Sequence, residues 1–399
     1  MLTSLSFIFL LGLAMAAVCQ RLKLPRIIGM LLTGILLGPY ALNLLDPSIL
    51  AVSADLRQMA LIIILLKAGL SLNLADLKRV GRPAVMMACV PASFEILGFL
   101  IFAPHILGVT RVEAAVLSAV SPAVVIPRMV QLMEERYGTD KSIPQMIMAG
   151  ASCDDIFVIV LFSTFVTMAQ GGAVHGTDLL NVPVSIILGV ALGVGTGYAL
   201  SLFFEKAYVC GRYVRNSTKV IILLGVSFLL MAVETWLKEI VSISGLLAVV
   251  STACVLKIRS IPDVSSRLSE KFGKLWIAAE VILFVLVGAA VDIRYTLEAG
   301  LPALAMIAAA LVFRSLGTMF CLFGTALNLK ERLFCIIAYL PKATVQAAIG
   351  SVPLALGLPC GALVLSVAVL AIVITAPLGA LGMDLTYKKF LKKNGSIPA

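Results

Sequence analysis

Long apolar runs follow one another along almost the whole chain, and short polar segments separate them. A helix crosses a bilayer with about 20 apolar residues, and a longer run crosses it with some tilt. The runs of suitable length lie at roughly residues 2–19, 26–45, 57–72, 82–106, 112–130, 143–170, 181–205, 218–237, 240–257, 275–293, 300–324, 331–356 and 360–383. The pattern predicts an all-α polytopic membrane protein with about 13 transmembrane helices.

The basic residues favour one side of this predicted bundle. Three of the 31 Lys and Arg residues, Lys67, Arg314 and Lys342, lie well inside runs. Of the others, which lie at the ends of runs or between them, twenty-four follow odd-numbered runs and four follow even-numbered runs. Cytoplasmic connections of membrane proteins are enriched in Lys and Arg. The N-terminus is therefore predicted to face outward, and the tail with Lys388, Lys389, Lys392 and Lys393 to face the cytoplasm.

The composition narrows the class of protein. Hydrophobic residues make up 61% of the 399 residues and charged residues only 13%. This excludes a soluble enzyme with a single membrane anchor. The sided distribution of Lys and Arg accounts for the net charge of +10, so we expect no nucleic-acid partner. The eight cysteines stand singly without a C-x-x-C pair, which is typical of small buried side chains rather than of a metal site or a disulfide framework.

The apolar run Ile143–Gln170 contains two adjacent carboxylates, Asp154 and Asp155, close to its centre. An acid at the bilayer centre costs about 2.5–3.5 kcal/mol on insertion scales, and Asn or Ser would fill the space at lower cost. Ionisable groups at this depth are typical of ion or proton pathways. The alternative is a purely structural pair of acids held by opposite charges.

Two runs contain prolines near their centres. The fifth run contains Pro122 and Pro127, and the twelfth contains Pro341 beside Lys342. Proline removes a backbone donor and clashes one turn back, and in lipid the freed carbonyls are tolerated only where they line a protein-enclosed site. The two runs are seven apart, so they enter the membrane from opposite sides. This predicts an inverted-topology repeat with a transport site at the interrupted helices.

The two halves of this repeat, runs 1–6 and runs 8–13, also contain the central charges. Glu95 lies in the fourth run, the two aspartates in the sixth, Arg314 in the eleventh and Lys342 at the break of the twelfth. When all five groups are ionised, three acids and two bases leave one negative charge, which one monovalent cation or one proton neutralises. A site that is neutral only when it holds a cation or a proton crosses the membrane more readily with an ion bound than without one. This property is typical of an exchanger.

Hydroxyl groups lie beside the same breaks. Ser121 precedes the first proline of the fifth run, and Thr344 follows the proline of the twelfth. Carboxylate oxygens, together with such hydroxyls and freed carbonyls, suit a small hard cation.

The longest cytoplasmic connection, IPDVSSRLSEKFGKLW, places Val264, Leu268, Phe272 and Trp276 on one helical face. This spacing predicts an interfacial amphipathic helix, with a solvated loop as the alternative.

Five segments carry a resemblance to a known family. They are LPRIIGMLLTGILLGP at 24–39, LLKAGLSLN at 65–73, AVSPAVVIP at 119–127, AGASCDDIFVIVLF at 149–162 and LPKATVQAAIG at 340–350. They resemble the cation:proton antiporter superfamily, and most closely the two-aspartate sodium/proton exchangers of the NHA subfamily and their bacterial relatives. The resemblance implies the sodium/proton antiporter fold, in which two broken helices cross.

The resemblance also implies a division into a mobile core domain and a dimerisation domain. The dimerisation or scaffold domain comprises residues 1–80 and 207–298, and the core transport domain comprises residues 81–170 and 299–385. Residues 171–206 form the linker helix, and residues 386–399 form a cytoplasmic basic tail.

By the same resemblance Asp155 is the main cation and proton carrier and Asp154 its adjacent acid. Lys342 is the basic group at the broken helices, either as a fixed charge or as a competitor for an aspartate. Arg314 occupies the basic position on the preceding span, with Glu95 as its expected structural partner. Many two-aspartate bacterial antiporters carry Lys where this chain has Arg314, and Arg does not release its proton at physiological pH, so proton transport by Arg314 is not expected.

The residues and the resemblance together predict a secondary active antiporter, not an enzyme, that exchanges Na⁺ or Li⁺ for H⁺. The resemblance implies that it works as a homodimer by an elevator-type movement. We expect a homodimer in the cell (plasma or inner) membrane, in contact with lipids and without any cofactor other than the transported ions. K⁺/H⁺ exchange is the alternative, because similar carboxylates serve it, and a cation channel or sensor is a more distant one.

Overall fold

The computed structural model describes residues 1–22, 24–71, 81–118, 125–170, 178–209, 214–237, 241, 243–292, 300–342, 346 and 349–393. Within these ranges the chain is helical and contains no β-strand. Tyr137 and Lys393 form an isolated antiparallel bridge between the connection before α9 and the end of the described chain. The prediction of an all-α protein is confirmed.

The helices are numbered along the chain. In the first half they are α1 (Leu2–Arg21), α2 (Arg26–Leu37), α3 (Pro47–Ala51), α4 (Ser53–Ser71), α5 (Arg82–Met87), α6 (Val90–Ile106), α7 (Arg111–Ser118), α8 (Val125–Glu134) and α9 (Ile143–Gln170). In the second half they are α10 (Asp178–Val209), α11 (Asn216–Leu237), α12 (Gly245–Arg259), α13 (Pro262–Ala289), α14 (Gly300–Cys321), α15 (Leu329–Tyr339), α16 (Val352–Ala355) and α17 (Gly361–Phe390).

Seven helical stretches of the described chain are long and apolar enough to cross a membrane. They are Leu2–Arg21, Arg82–Ile106, Ile187–Lys206, Asn216–Leu237, Asp263–Ala289, Gly300–Cys321 and Gly361–Phe390. Two shorter apolar helices are Arg26–Leu37 and Phe157–Gln170. All of them fall on runs predicted from the sequence, whereas the count of thirteen spans stays a prediction.

The chain divides into two compact units. The first comprises Met1–Ala54, Asn73–Val158 and Phe284–Ala399, and the second comprises Asp55–Leu72 and Ile159–Leu283. The buried charges described below all lie in the first unit.

In the first unit α14 packs along α6. Small residues allow the close approach: a Cβ added at Gly98 would lie 3.0 Å from the Phe313 ring, and one added at Gly317 would lie 2.9 Å from the Cα atom of Pro91. The rings of Phe102 and Phe313 meet edge to face, with centroids 5.7 Å apart. This packing brings together two helices that carry predicted site charges.

Three other glycines of the first unit allow helix α2 to contact its neighbours at the backbone. A Cβ added at Gly29 would overlap the backbone of Met15 in α1, and one added at Gly34 would overlap the Val285 carbonyl in α13. A Cβ at Gly288 of α13 would in turn overlap the backbone of α2. Small residues at helix contacts are typical of membrane proteins, because they let the backbones approach closely.

In the second unit α10 packs along α12 in a similar way. A Cβ added at Gly193 would lie 2.9 Å from the Cα atom of Ala248, and one added at Gly197 would lie 2.8 Å from the Thr252 carbonyl oxygen. The Thr252 hydroxyl donates to the Gly193 carbonyl at 3.1 Å, so the two helices are also joined by a hydrogen bond.

The twelfth predicted run is interrupted in the structure. Helix α15 ends at Tyr339, and the next three residues, which include Pro341, are not helical. The Pro341 ring packs against Gly379 of α17, where a Cβ would overlap it. The fifth predicted run contains α7 and α8, and residues 119–124 between them lie outside the described chain.

Helix α15 starts at a capping box. The Asn328 side chain accepts a hydrogen bond from the Glu331 N–H at 2.9 Å, and the Glu331 carboxylate accepts one from the Asn328 N–H at 2.7 Å. Two of the helix's first unpaired donors are thereby satisfied. Lys141 also pairs with Glu331, at 2.7 Å, which fastens the start of α15 to the connection before α9.

The predicted amphipathic segment forms the first part of α13. Leu268, Phe272 and Trp276 are buried, as an apolar helical face predicts. The segment is helical but not a separate helix, because α13 runs without interruption from Pro262 to Ala289, and its interfacial position stays a prediction. No proline follows Pro262 in this helix, so nothing in the sequence forces the helix to end before the apolar run begins.

Candidate functional site

Four charged side chains of the first unit are buried together. Glu95 lies on α6, Asp154 on α9, Arg314 on α14, and Lys342 follows the end of α15 by three residues. None is more than 1% exposed. The close packing of α6 on α14 and the end of α15 bring residues that are more than 200 positions apart in the sequence into contact.

Arg314 connects three elements. Its Nη1 donates to Glu95 Oε2 at 2.7 Å, and its Nη2 donates to Asp154 Oδ2 at 2.8 Å. Its Nε donates to the main-chain oxygen of Tyr339 at 2.8 Å. A planar guanidinium suits this arrangement because its donors are held in a rigid fork.

Glu95 also binds the second base. Its other oxygen, Oε1, forms an ion pair with the Lys342 ammonium. The main-chain N–H of Lys342 donates to the Thr375 hydroxyl at 2.9 Å, which fixes the backbone at the break of the helix. Glu95 therefore bridges Arg314 and Lys342.

Asp154 uses only one of its oxygens in these contacts. Oδ2 accepts from Arg314, whereas Oδ1 is buried and has no hydrogen-bond partner among the described residues. A buried carboxylate oxygen without a donor is costly.

The charges of this cluster balance. The described groups are two acids and two bases, and each forms at least one ion pair. Burying an ionised group costs several kcal/mol, and removing one partner of a buried pair costs about 3–5 kcal/mol. Asp155, the next residue on α9, adds a third acid to this part of the helix.

The structure brings some of the predicted site residues together and does not describe others. Ser121, Pro122 and Thr344 lie outside the described residues. Asp155 and Pro127 belong to α9 and α8, but their side chains are likewise outside the description.

Two pairings in the structure differ from those that the sequence analysis expected. Arg314 binds Asp154 in addition to Glu95, and Lys342 binds Glu95, which was not considered as its partner. A competition of Lys342 for an aspartate stays a prediction.

Two further contacts were missed by the sequence analysis, the carbonyl of Tyr339 and the hydroxyl of Thr375. The only available signal was position: Tyr339 precedes the Leu-Pro-Lys break, where helix carbonyls lose their partners. Among the described residues, no group of three or more His, Cys, Asp or Glu side chains is placed to hold a resident metal ion.

The family model described as "Sodium/hydrogen exchanger, transmembrane" matches residues 5–386. The chain is 34% identical over 388 residues to sodium/hydrogen exchanger 9B2 of Mus musculus, an alignment that covers 93% of this chain and 69% of the relative. It is 32% identical over 388 residues to sodium/hydrogen exchanger 9B2 of Homo sapiens, with 93% and 70% covered. Sodium/hydrogen exchanger 9B1 of Homo sapiens is 32% identical over 367 residues, with 86% and 67% covered.

Among solved structures, the fold is similar to that of the sodium proton antiporter MjNhaP1 from Methanocaldococcus jannaschii at pH 8. The TM-score is 0.82 at 20% sequence identity, and 98% of each chain is covered. The similarity confirms the sodium/proton antiporter fold that the sequence predicted. The chain belongs to the sodium/hydrogen exchanger family, and it is accordingly an integral multi-pass membrane transporter and not an enzyme.

Proposed function

We propose that this protein exchanges Na⁺ or Li⁺ for H⁺ across the membrane, with the aspartates of α9 as the ion-binding groups. The observation that carries the proposal is the state of Asp154: its carboxylate is completely buried, and one oxygen binds Arg314 at 2.8 Å while the other has no partner among the described residues. Such an oxygen binds a proton or a small cation, and the two compete for it.

Asp155 extends this group on the same helix. Successive positions of a helix are about 100° apart, so Asp154 and Asp155 occupy different positions around α9. We infer that Asp155 is the main carrier and that Asp154 is its adjacent acid. Ser121 and Thr344, beside the two proline breaks, supply additional oxygen ligands for a hard cation.

Charge balance accounts for the coupling of the two ions. Glu95, Asp154 and Asp155 carry three negative charges, and Arg314 and Lys342 carry two positive charges. The site is neutral when it holds one cation or one proton and carries one negative charge when it holds neither. A net charge is costly to move through the low-dielectric membrane, so the loaded site crosses and the empty site does not.

We propose that the crossing is an elevator-type movement. The core transport domain, residues 81–170 and 299–385, moves against a dimerisation domain formed by 1–80 and 207–298, with 171–206 as the linker helix. The protein acts as a homodimer in the cell membrane, with its N-terminus outside and its basic tail, 386–399, in the cytoplasm. The sided distribution of Lys and Arg supports this orientation.

The proposal is tested by ion-driven proton flux in proteoliposomes that contain a pH-sensitive dye. We expect an outward-directed Na⁺ or Li⁺ gradient to acidify the lumen, and a smaller response to K⁺. A response to K⁺ alone would identify a K⁺/H⁺ exchanger instead. Cation efflux without any counter-movement of protons would identify a channel and contradict antiport.

A further inference from the structure

We propose that Tyr339 is a positioning residue for exchange. It fixes the position of helix α9 relative to Arg314 and so determines how strongly Asp154 pairs with Arg314. The proposal rests on the proposed function and adds a residue to it. Tyr339 is the last residue of α15, and its side chain is completely buried.

Tyr339 contacts the guanidinium of Arg314 in two ways. Its main-chain oxygen accepts a hydrogen bond from Arg314 Nε at 2.8 Å. The last carbonyls of a helix have no partner within the helix, so the end of α15 leaves this oxygen available. The guanidinium carbon of Arg314 also lies 5.8 Å from the centre of the Tyr339 ring, within the range of a cation–π interaction.

The hydroxyl at the other end of the ring lies between α5 and α9. It donates to the main-chain oxygen of Met87 at 3.4 Å. It also lies directly against Gly150 of α9: a Cβ added there would overlap the Tyr339 hydroxyl oxygen and lie 2.9 Å from the Cβ atom of Met87. Only glycine allows α9 to approach Tyr339 this closely.

Gly150 and Asp154 are four residues apart on α9, about one helical turn, and so lie on the same face. A displacement of the helix at Gly150 therefore also displaces the carboxylate of Asp154. Tyr339 thus contacts the Arg314 guanidinium directly and supports the helix that presents Asp154 Oδ2 to it at 2.8 Å. One side chain determines the geometry of both partners of the ion pair.

A methyl group at Gly150 tests this arrangement. We expect Gly150→Ala to move α9 away from Tyr339 and weaken the pair between Asp154 and Arg314. A carboxylate that is held less strongly by a guanidinium is more available to a cation. The apparent KM for Na⁺ at alkaline pH should therefore fall by about threefold or more, and the pH profile should shift, while the maximal rate per folded protein changes little.

The experiment compares Na⁺-driven proton flux in proteoliposomes across Na⁺ concentration and pH. Tyr339→Phe removes the oxygen that the new methyl meets most closely, whereas the contact with the Cβ atom of Met87 remains. The KM and pH profile of the double variant Gly150→Ala/Tyr339→Phe should therefore lie between those of Gly150→Ala and those of the wild type. Tyr339→Phe alone keeps the ring and the main-chain oxygen, and its measured KM is the reference for the double variant. Gly225→Ala on α11 is the matched control, since a Cβ there meets nothing within 4 Å.

A rate that falls only in proportion to the folded protein, with unchanged KM and pH profile, would show that Gly150 and Tyr339 serve packing alone and would overturn the proposal. Should Gly150→Ala fail to accumulate, Tyr339→Leu is compared with Tyr339→Phe. A KM change in the Leu variant alone supports the positioning role, and equal KM values overturn it. Absence of Na⁺-driven flux in the wild-type protein would instead contradict the proposed function on which this inference rests.

Discussion

Glu95 connects two buried bases, Arg314 and Lys342. One of its oxygens binds Arg314 at 2.7 Å, the other binds Lys342, and Arg314 in turn binds Asp154. Because Arg314 keeps its charge at any physiological pH, it can hold Asp154 without taking part in proton transfer. This chain of contacts links Glu95 and the two bases to Asp154, one of the aspartates that we propose to carry the ions.

The contact between Glu95 and Arg314 is tested by a double-mutant cycle. Glu95→Gln leaves Lys342 without its ion-pair partner, and Arg314→Gln leaves Asp154 without one. Each single change should lower the free energy of unfolding by about 3–5 kcal/mol, because it leaves a buried charge uncompensated. The double variant should lose less than the sum of the two, as measured by denaturation in detergent. Additive losses would mean that the two side chains do not interact in the membrane protein.

At the residue scale, the sequence identified the charges but not all their partners. Glu95, Asp154, Arg314 and Lys342 were found because each interrupts an apolar run, where an ionised group is expensive. Which acid binds which base depends on how the helices cross and where α15 ends, and a single sequence contains no signal for that. The contact of Lys342 with Glu95 therefore appeared only in the structure.

At the scale of elements, the sequence predicted more of the structure than it did at the residue scale. In the structure the glycines of α2 lie against the backbones of α1 and α13, as small residues do at helix contacts in membrane proteins. Pro341 predicted the interruption after α15 because proline cannot continue a helical ladder. The start of α13 was placed incorrectly, since an amphipathic segment and an apolar run that share one helical face join without a boundary in the sequence.

The packing of α2 on α13 gives a prediction about stability. Gly34→Ala and Gly288→Ala each place a methyl against backbone atoms, which cannot rotate away as a side chain can. We expect each to lower the stability by about 1–3 kcal/mol, seen as a lower Tm of the purified protein in detergent. Gly225→Ala, which meets nothing within 4 Å, should leave the Tm unchanged. Equal Tm values for all three variants would contradict the close packing.

At the scale of the whole molecule, exposed apolar surface and charge are distributed as a membrane transporter requires. Large apolar side chains on α11, such as Ile221 and Trp236, are both 69% exposed. Only 28% of the apolar stretch of α1 and 22% of that of α11 are buried within the chain, so lipid or a second subunit covers the rest. Both helices belong to the ranges that we assign to the dimerisation domain.

The central claim is that the carboxylates of α9 carry the exchanged ions, and one measurement tests it most directly. Asp155→Asn and wild-type protein are reconstituted in liposomes at equal density, and the proton flux driven by a Na⁺ gradient is recorded. Asp140→Asn, which changes an exposed carboxylate before α9, is the matched control. We predict that Asp155→Asn inserts normally but gives only the flux of empty liposomes, while Asp140→Asn retains the wild-type rate. Wild-type Na⁺/H⁺ exchange by Asp155→Asn would contradict the account.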